Sequence, residues 1–160
     1  MDSELTLDAV DRRILAALQL QGRITYDELA VQVQLSASAV LRRVRRLEES
    51  GVIAGYAAIV PPHKLGLTLS AFVEVRLQRP TDTSAAEIAE RFRAAVQHWP
   101  EVIECVCLST EMSYLLRVLV TDMAHHGRFM VDTLLQHPGV QECRTSFVLD
   151  QIKRPRALPI

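Results

Sequence analysis

Residues 36–50 read as one helix with two unlike faces, and that segment constrains the chain more than any other. At 100° per residue Val40, Val44 and Leu47 share one side, with Ala37 and Leu41 at its edge, while Ser38, Arg42, Arg45 and Arg46 fall opposite. Four of the seven residues from 41 to 47 are arginine: Arg42, Arg43, Arg45 and Arg46. Ser36 supplies an N-cap and Gly51 a stop. Only the short turn Gln34-Leu35 separates this helix from the one before it. A basic amphipathic helix reached through a tight turn from another short helix is the recognition arrangement of a helix-turn-helix. The whole chain carries a formal net charge of only -1, so the arginines are a local surface and not one part of a general polycation.

The preceding residues supply the rest of that unit. Asp8 caps a first helix carrying Val10, Ile14, Leu15 and Leu18 on one face, which Gly22 ends. Thr25 and Glu28 form a capping box for a second helix whose inner face is Leu29, Ala30 and Val33. Residues 52–60 are rich in glycine and β-branched side chains and read as a short strand or wing. Pro61-Pro62 and Gly66 mark a stiff linker beyond it.

The second half has another rhythm. Leu69, Ala71, Val73, Val75 and Leu77 alternate with Ser70, Glu74 and Arg76, as in a half-buried strand. Thr83 or Ser84 caps a helix carrying Ile88, Phe92 and Val96. Strands at 102–108 and 114–120 follow, joined by the loop Ser109-Thr110-Glu111-Met112-Ser113. Asp122 caps a further helix with Phe129, Met130 and Leu134, which His137-Pro138-Gly139 breaks before a last strand at 140–149. The order β-α-β-β-α-β is the ferredoxin-like split unit. Two helices cover only one face of its sheet. Phe72 stands opposite the main apolar row, and the second strand sets Ile103, Cys105 and Cys107 against Val102, Val106 and Leu108. Two largely apolar faces predict association through the open one.

The fold expected is therefore α+β. Residues 1–52 form a helix-turn-helix DNA-binding domain, 53–66 a wing strand and linker, 67–150 a ferredoxin-like domain and 151–160 a basic, mobile tail. The chain's 160 residues suffice for two small cores. An acidic N-terminus and the lack of a long apolar run predict a cytoplasmic protein without a membrane partner. Cys105 and Cys107 sit two apart on one strand, poor geometry for a metal, and Cys143 falls at the opposite sheet edge, roughly 14 Å away at about 4.8 Å per strand. His125 and His126 are adjacent on a helix and point apart. Neither a metal nor another cofactor is expected. With no nucleophile-base pair or phosphate loop in the sequence, the reading is not that of an enzyme.

The stretch from Leu7 to Leu67, with RVRRLEESGVIAGY at its heart, resembles the Lrp/AsnC (leucine-responsive/asparagine-responsive) regulators. The resemblance continues through WPEVIECVCLSTEMSYLLRVLVTDM and LLQHPGVQECRTSFVLDQIK. It implies a winged helix-turn-helix, a C-terminal domain of the RAM type, dimers through the sheets, tetramers or octamers, and amino-acid effectors held between subunits. Double-stranded DNA would then be met by Ser36, Ser38, Arg42, Arg43, Arg45 and Arg46. An amino acid would be met by Ser109, Thr110, Glu111, Met112, Ser113 and Tyr114, with Glu111 accepting from its ammonium and Thr110, Ser113 and backbone amides donating to its carboxylate. Two departures stand out. Gln34 replaces the family's usual glycine between the second and third helices, at a cost on the order of 1 kcal/mol if the left-handed geometry is kept. The family's Gly-Asp-aromatic-Asp-Tyr hairpin is here Thr110-Glu111-Met112-Ser113-Tyr114. That change leaves open an alternative, an architectural protein that wraps DNA without an effector.

Overall fold

A computed structural model of the chain describes residues 6–78, 85–109, 113–153 and 157–160. These divide into two compact units, one drawn from residues 1–59 and 152–160 and the other from 60–151.

In the first unit α1 (Ala9–Leu20) opens on a reciprocal cap. Asp8 Oδ1 accepts from the amides of Val10 and Asp11 at 2.8 Å each, and the Asp8 amide donates back to Asp11 Oδ2. The Thr25–Glu28 box starts α2 (Tyr26–Val33) as expected. Gln34 then turns the chain at φ 58°, ψ 49°, the left-handed geometry that a glycine would adopt at less cost. Ser36 Oγ accepts the Ala39 amide and starts α3 (Ala37–Glu49). Ile14, Leu29, Val33, Val40, Val44 and Leu47 close into a small aliphatic core. The strand expected at 52–60 does not form. Residues 54–60 carry neither helix nor ladder, since no described segment of this unit lies beside them as a strand, and Ile59 stays 87% exposed. The tail is a second difference. Leu158 and its neighbours belong to this unit, with the Leu158 amide donating to Gln19 Oε1 at 2.5 Å.

The second unit follows the expected order. β1 (Leu69–Leu77), α4 (Ala85–Val96), β2 (Val102–Cys107), β3 (Tyr114–Val120), α5 (Met123–Arg128) and β4 (Val140–Phe147) build an antiparallel sheet in the order β2-β3-β1-β4. Cys105 and Cys143 therefore do lie on opposite edge strands. The proposed caps Thr83 and Ser84 lie outside the described residues. Asp122 caps α5 by accepting the His125 amide at 2.8 Å, and the helix widens into a π-helical turn at Phe129–Leu134, closed by Leu135 N–H on the Met130 carbonyl.

The alternation of β1 lands as expected, with Ala71, Val73 and Val75 buried beneath the helices. That of β2 does not. An irregularity between Val102 and Glu104 pairs Val102 with Val118 and Cys105 with Leu116, so both face inward and Ile103 is the extra residue. The open sheet face is also less apolar than expected. Phe72, Val106, Leu115 and Leu119 are interleaved there with Glu74, Arg76, Glu104, Arg117, Glu142 and Arg144. Arg76 and Arg144 both bond Glu142.

Candidate nucleic-acid interface and ligand loop

The four arginines of α3 separate into two pairs. Arg42 and Arg45 are exposed, and with Ser38 they make one stripe along the helix, two turns long at 3.6 residues per turn. Among the described residues neither enters a hydrogen bond or ion pair of its own side chain. Ser36 is partly committed, since its hydroxyl caps the helix and lies 3.1 Å from Ser38 Oγ.

Arg43, half-buried, and Arg46, still exposed, instead turn their guanidinium groups to α1. The Asp11 carboxylate is fully buried and takes Arg43 Nη1 on Oδ1 at 2.8 Å and Arg46 Nη2 on Oδ2 at 2.6 Å. Arg43 Nη1 also reaches Asp8 Oδ2 at 2.7 Å. A carboxylate taken out of water costs several kcal/mol unless cations and donors replace its hydration, and here two guanidinium groups do so. The amide of Asp11, then Arg43, hold the Asp8 carboxyl down at about 2. The cluster clamps α3 to α1 and fixes the direction in which Arg42 and Arg45 point. The sequence held a signal for it. Asp11 falls on the apolar stripe of α1 beside Ile14 and Leu15, where an acid needs a cation. A second tie joins Tyr56 to the last turn of α3, its hydroxyl donating to Glu48 Oε1 at 2.9 Å. Burial, then that carboxylate, push the Tyr56 phenol up to about 12.

Of the ligand-loop residues, Thr110, Glu111 and Met112 lie outside the described residues. Ser109 and Ser113 flank them, and the Leu108 amide donates to the Ser113 carbonyl at 2.7 Å. Tyr114 is placed differently from the others. It is 5% exposed, opens β3 on the inner face of the sheet, and its ring lies 4.9 Å from that of Phe92. Its ring anchors the loop's C-terminal end in the core. Burial pushes Cys105 up and Cys143 up to about 11, away from the thiolate form that binds metals. Among the described residues no three His, Cys, Asp or Glu side chains are grouped to hold a metal ion. No described helix is long and apolar enough to cross a membrane.

A helix-turn-helix with an outward arginine stripe, joined in one chain to a ferredoxin-like sheet, defines a class of two-domain DNA-binding regulators. Residues 7–54 match the winged helix-turn-helix DNA-binding family, and residues 70–158 match the Lrp/AsnC ligand binding domain family. The chain belongs to the Lrp/AsnC family of transcriptional regulators. It is 43% identical over 154 residues to the leucine-responsive regulatory protein of Salmonella typhimurium, covering 96% of this chain and 92% of the relative. Among solved structures, a Neisseria meningitidis transcriptional regulator in complex with L-methionine superposes with a TM-score of 0.90 at 43% identity, covering 96% of this chain and 97% of that one. The feast or famine regulatory protein of M. tuberculosis, also complexed with L-methionine, gives 0.83 at 33% identity, covering 96% and 99%.

Proposed function

We propose that this regulator reads specific double-stranded DNA sites with α3, and that an amino acid bound at the 109–114 hairpin between copies changes its DNA affinity or its assembly. It acts in the cytoplasm and by binding, without turnover. The observation that carries the reading is the division of the α3 arginines. Ser38, Arg42 and Arg45 contact the duplex, with Ser36 at the helix N-terminus suited to a phosphate, while Arg43 and Arg46 hold the helix in place through Asp11.

The effector half rests on the match to a ligand binding domain and on the two relatives complexed with L-methionine. Thr110, Glu111 and Ser113 offer the donors and acceptor that an amino acid's two charged ends require, with Ser109 and Met112 beside them. Tyr114 sets the loop's anchor. Assembly of two or more copies is supported by the open sheet face. Phe72 and Val106 expose apolar surface there, and among the described residues Ser70 Oγ, Arg76 Nε and Arg117 Nε have no hydrogen-bond partner. Residues 54–60, where Tyr56, Ile59 and Val60 are exposed, offer a second surface for pairing.

The test is a titration of a duplex panel by fluorescence anisotropy at several salt concentrations, with and without L-methionine and other amino acids. One duplex should be preferred over random DNA at least tenfold. If a dimer makes about eight phosphate contacts, log affinity falls with log salt at a slope of roughly -7. Arg42→Ala with Arg45→Ala should weaken binding by a hundredfold or more at unchanged molecular mass in sedimentation. Equal affinity for every duplex at physiological salt would sink the reading.

A further inference from the structure

We propose that residues 157–160 are the ligand of an apolar groove on the DNA-reading unit, and that their docking is transmitted to α3; the second half of this inference rests on the DNA-reading role above. Leu15 and Leu18 of α1 form one wall of the groove, and Val52, Ile53 and Tyr56 form the other. Together with Leu7 they bound a cavity of about 340 Å³ that Leu158 and Ile160 also line.

Three observations favour this occupant. The last four residues, Ala-Leu-Pro-Ile, carry no charged side chain although the residues just before them are strongly basic. Pro159 narrows the conformations the segment must give up on docking. The Leu158 amide is met by Gln19 Oε1, the polar group on the groove's rim. Leu158 is still 75% exposed and Ile160 48%, so the segment rests on the rim without being sealed in.

Both walls are fastened to the reading helix. Tyr56 lines the groove with its ring and holds Glu48 of α3 with its hydroxyl. Helix α1 presents Leu15 and Leu18 to the groove and Asp11 to Arg43 and Arg46. An occupied groove therefore steadies α3, and an empty one loosens it.

The contact is tested by a nitroxide label on Ile160→Cys in a full-length chain carrying Cys105→Ala, Cys107→Ala and Cys143→Ala. The label should broaden the methyl resonances of Leu15 and Leu18 in its own chain. Their persistence would overturn the docking. Broadening only when labelled chains are mixed with isotopically marked, unlabelled chains would assign the groove to a second copy and overturn it as stated. In the native cysteine background, a chain ending at Arg156 should bind its preferred duplex three- to tenfold more weakly. Tyr56→Phe, which keeps the groove and cuts the tie to Glu48, should erase most of that difference. Equal affinity of the full and shortened chains would overturn the transmission. A full chain that binds no duplex would sink the DNA-reading role instead, with the spectroscopic result still deciding the contact.

Discussion

The interior of the first unit is a handful of aliphatic side chains around Ile14 and Leu47 together with one ion cluster, whereas the second encloses Phe92, Trp99, Tyr114, Phe129 and His137 against its sheet. Rings meet edge to face there, as Phe92 and Trp99 do at 5.7 Å. In the first unit direction matters more than area. Three side-chain caps, a buried carboxylate and Tyr56 fix where α3 points, and pointing is what a reading helix must do. In the second, burial of apolar surface does most of the holding.

The largest break in that comparison should come from Phe92→Ala. Losing a fully buried ring costs about 3–5 kcal/mol. Calorimetry should show the second unit's transition fall while the first stays put; a joint fall would mean that the two are one cooperative body. Asp11→Ala should strike the other unit alone, by about 2 kcal/mol. That is below the usual penalty for a broken buried pair, because the two arginines left behind are partly exposed and can turn to water. DNA affinity should drop with it, though the salt slope should not, since no phosphate contact is lost. If Arg43→Ala with Arg46→Ala lowers that slope by about one or more, those arginines touch the duplex after all.

Smaller effects sharpen the contrast. A Cβ at Gly139 would meet Ile88 Cγ2 at 2.5 Å, so Gly139→Ala should cost the second unit about 1–2 kcal/mol in chemical denaturation. Gln34→Gly should stabilise the first unit by about 0.5–1 kcal/mol, because the left-handed turn then carries no Cβ penalty. Acid should separate the units as well. Burial holds the His126 imidazole below its ordinary value, and its ring packs on Phe147 at 5.0 Å, so folding favours its neutral form. The second unit is then favoured above the ordinary value of 6.5 and loses that advantage as the pH falls below it. Asp8 is depressed from 3.8 to about 2, so the first unit keeps its contribution down to about pH 4 and loses it between there and 2. Trp99, the single tryptophan, reports on the second unit. Its fluorescence should respond at the higher pH, and a first unit that melts before it would reverse the assignment.

Local signals carried much of this structure on the sequence. Caps at Asp8, Thr25, Ser36 and Asp122, the apolar stripe of α3 and the alternation of β1 depend on neighbours within a few residues, and each is where spacing places it. The left-handed Gln34 was legible as a conflict between residue type and turn. What escaped were pairings across long stretches of chain. The division of the four arginines needed Asp8 and Asp11, more than thirty residues earlier in sequence. The register of β2 was hidden because its side chains are apolar at both parities, so a one-residue irregularity leaves no trace in the pattern. Tyr114 looked like part of the ligand loop, yet the aromatic cluster that claims it is assembled from three separate elements. Thr110, Glu111 and Met112, at the centre of the candidate ligand loop, lie outside the described residues.

The return of the chain's end to its beginning has a practical consequence for anyone dividing the molecule. A fragment stopping at residue 59 would hold every helix of the DNA-reading unit but not Leu158 or Ile160, so half of the gene does not encode the whole of that unit. Fusion partners and affinity handles are equally asymmetric: one joined after Ile160 starts at the mouth of an apolar groove. A miniature version of the first unit is better made by splicing the last residues back through a flexible linker than by simple truncation.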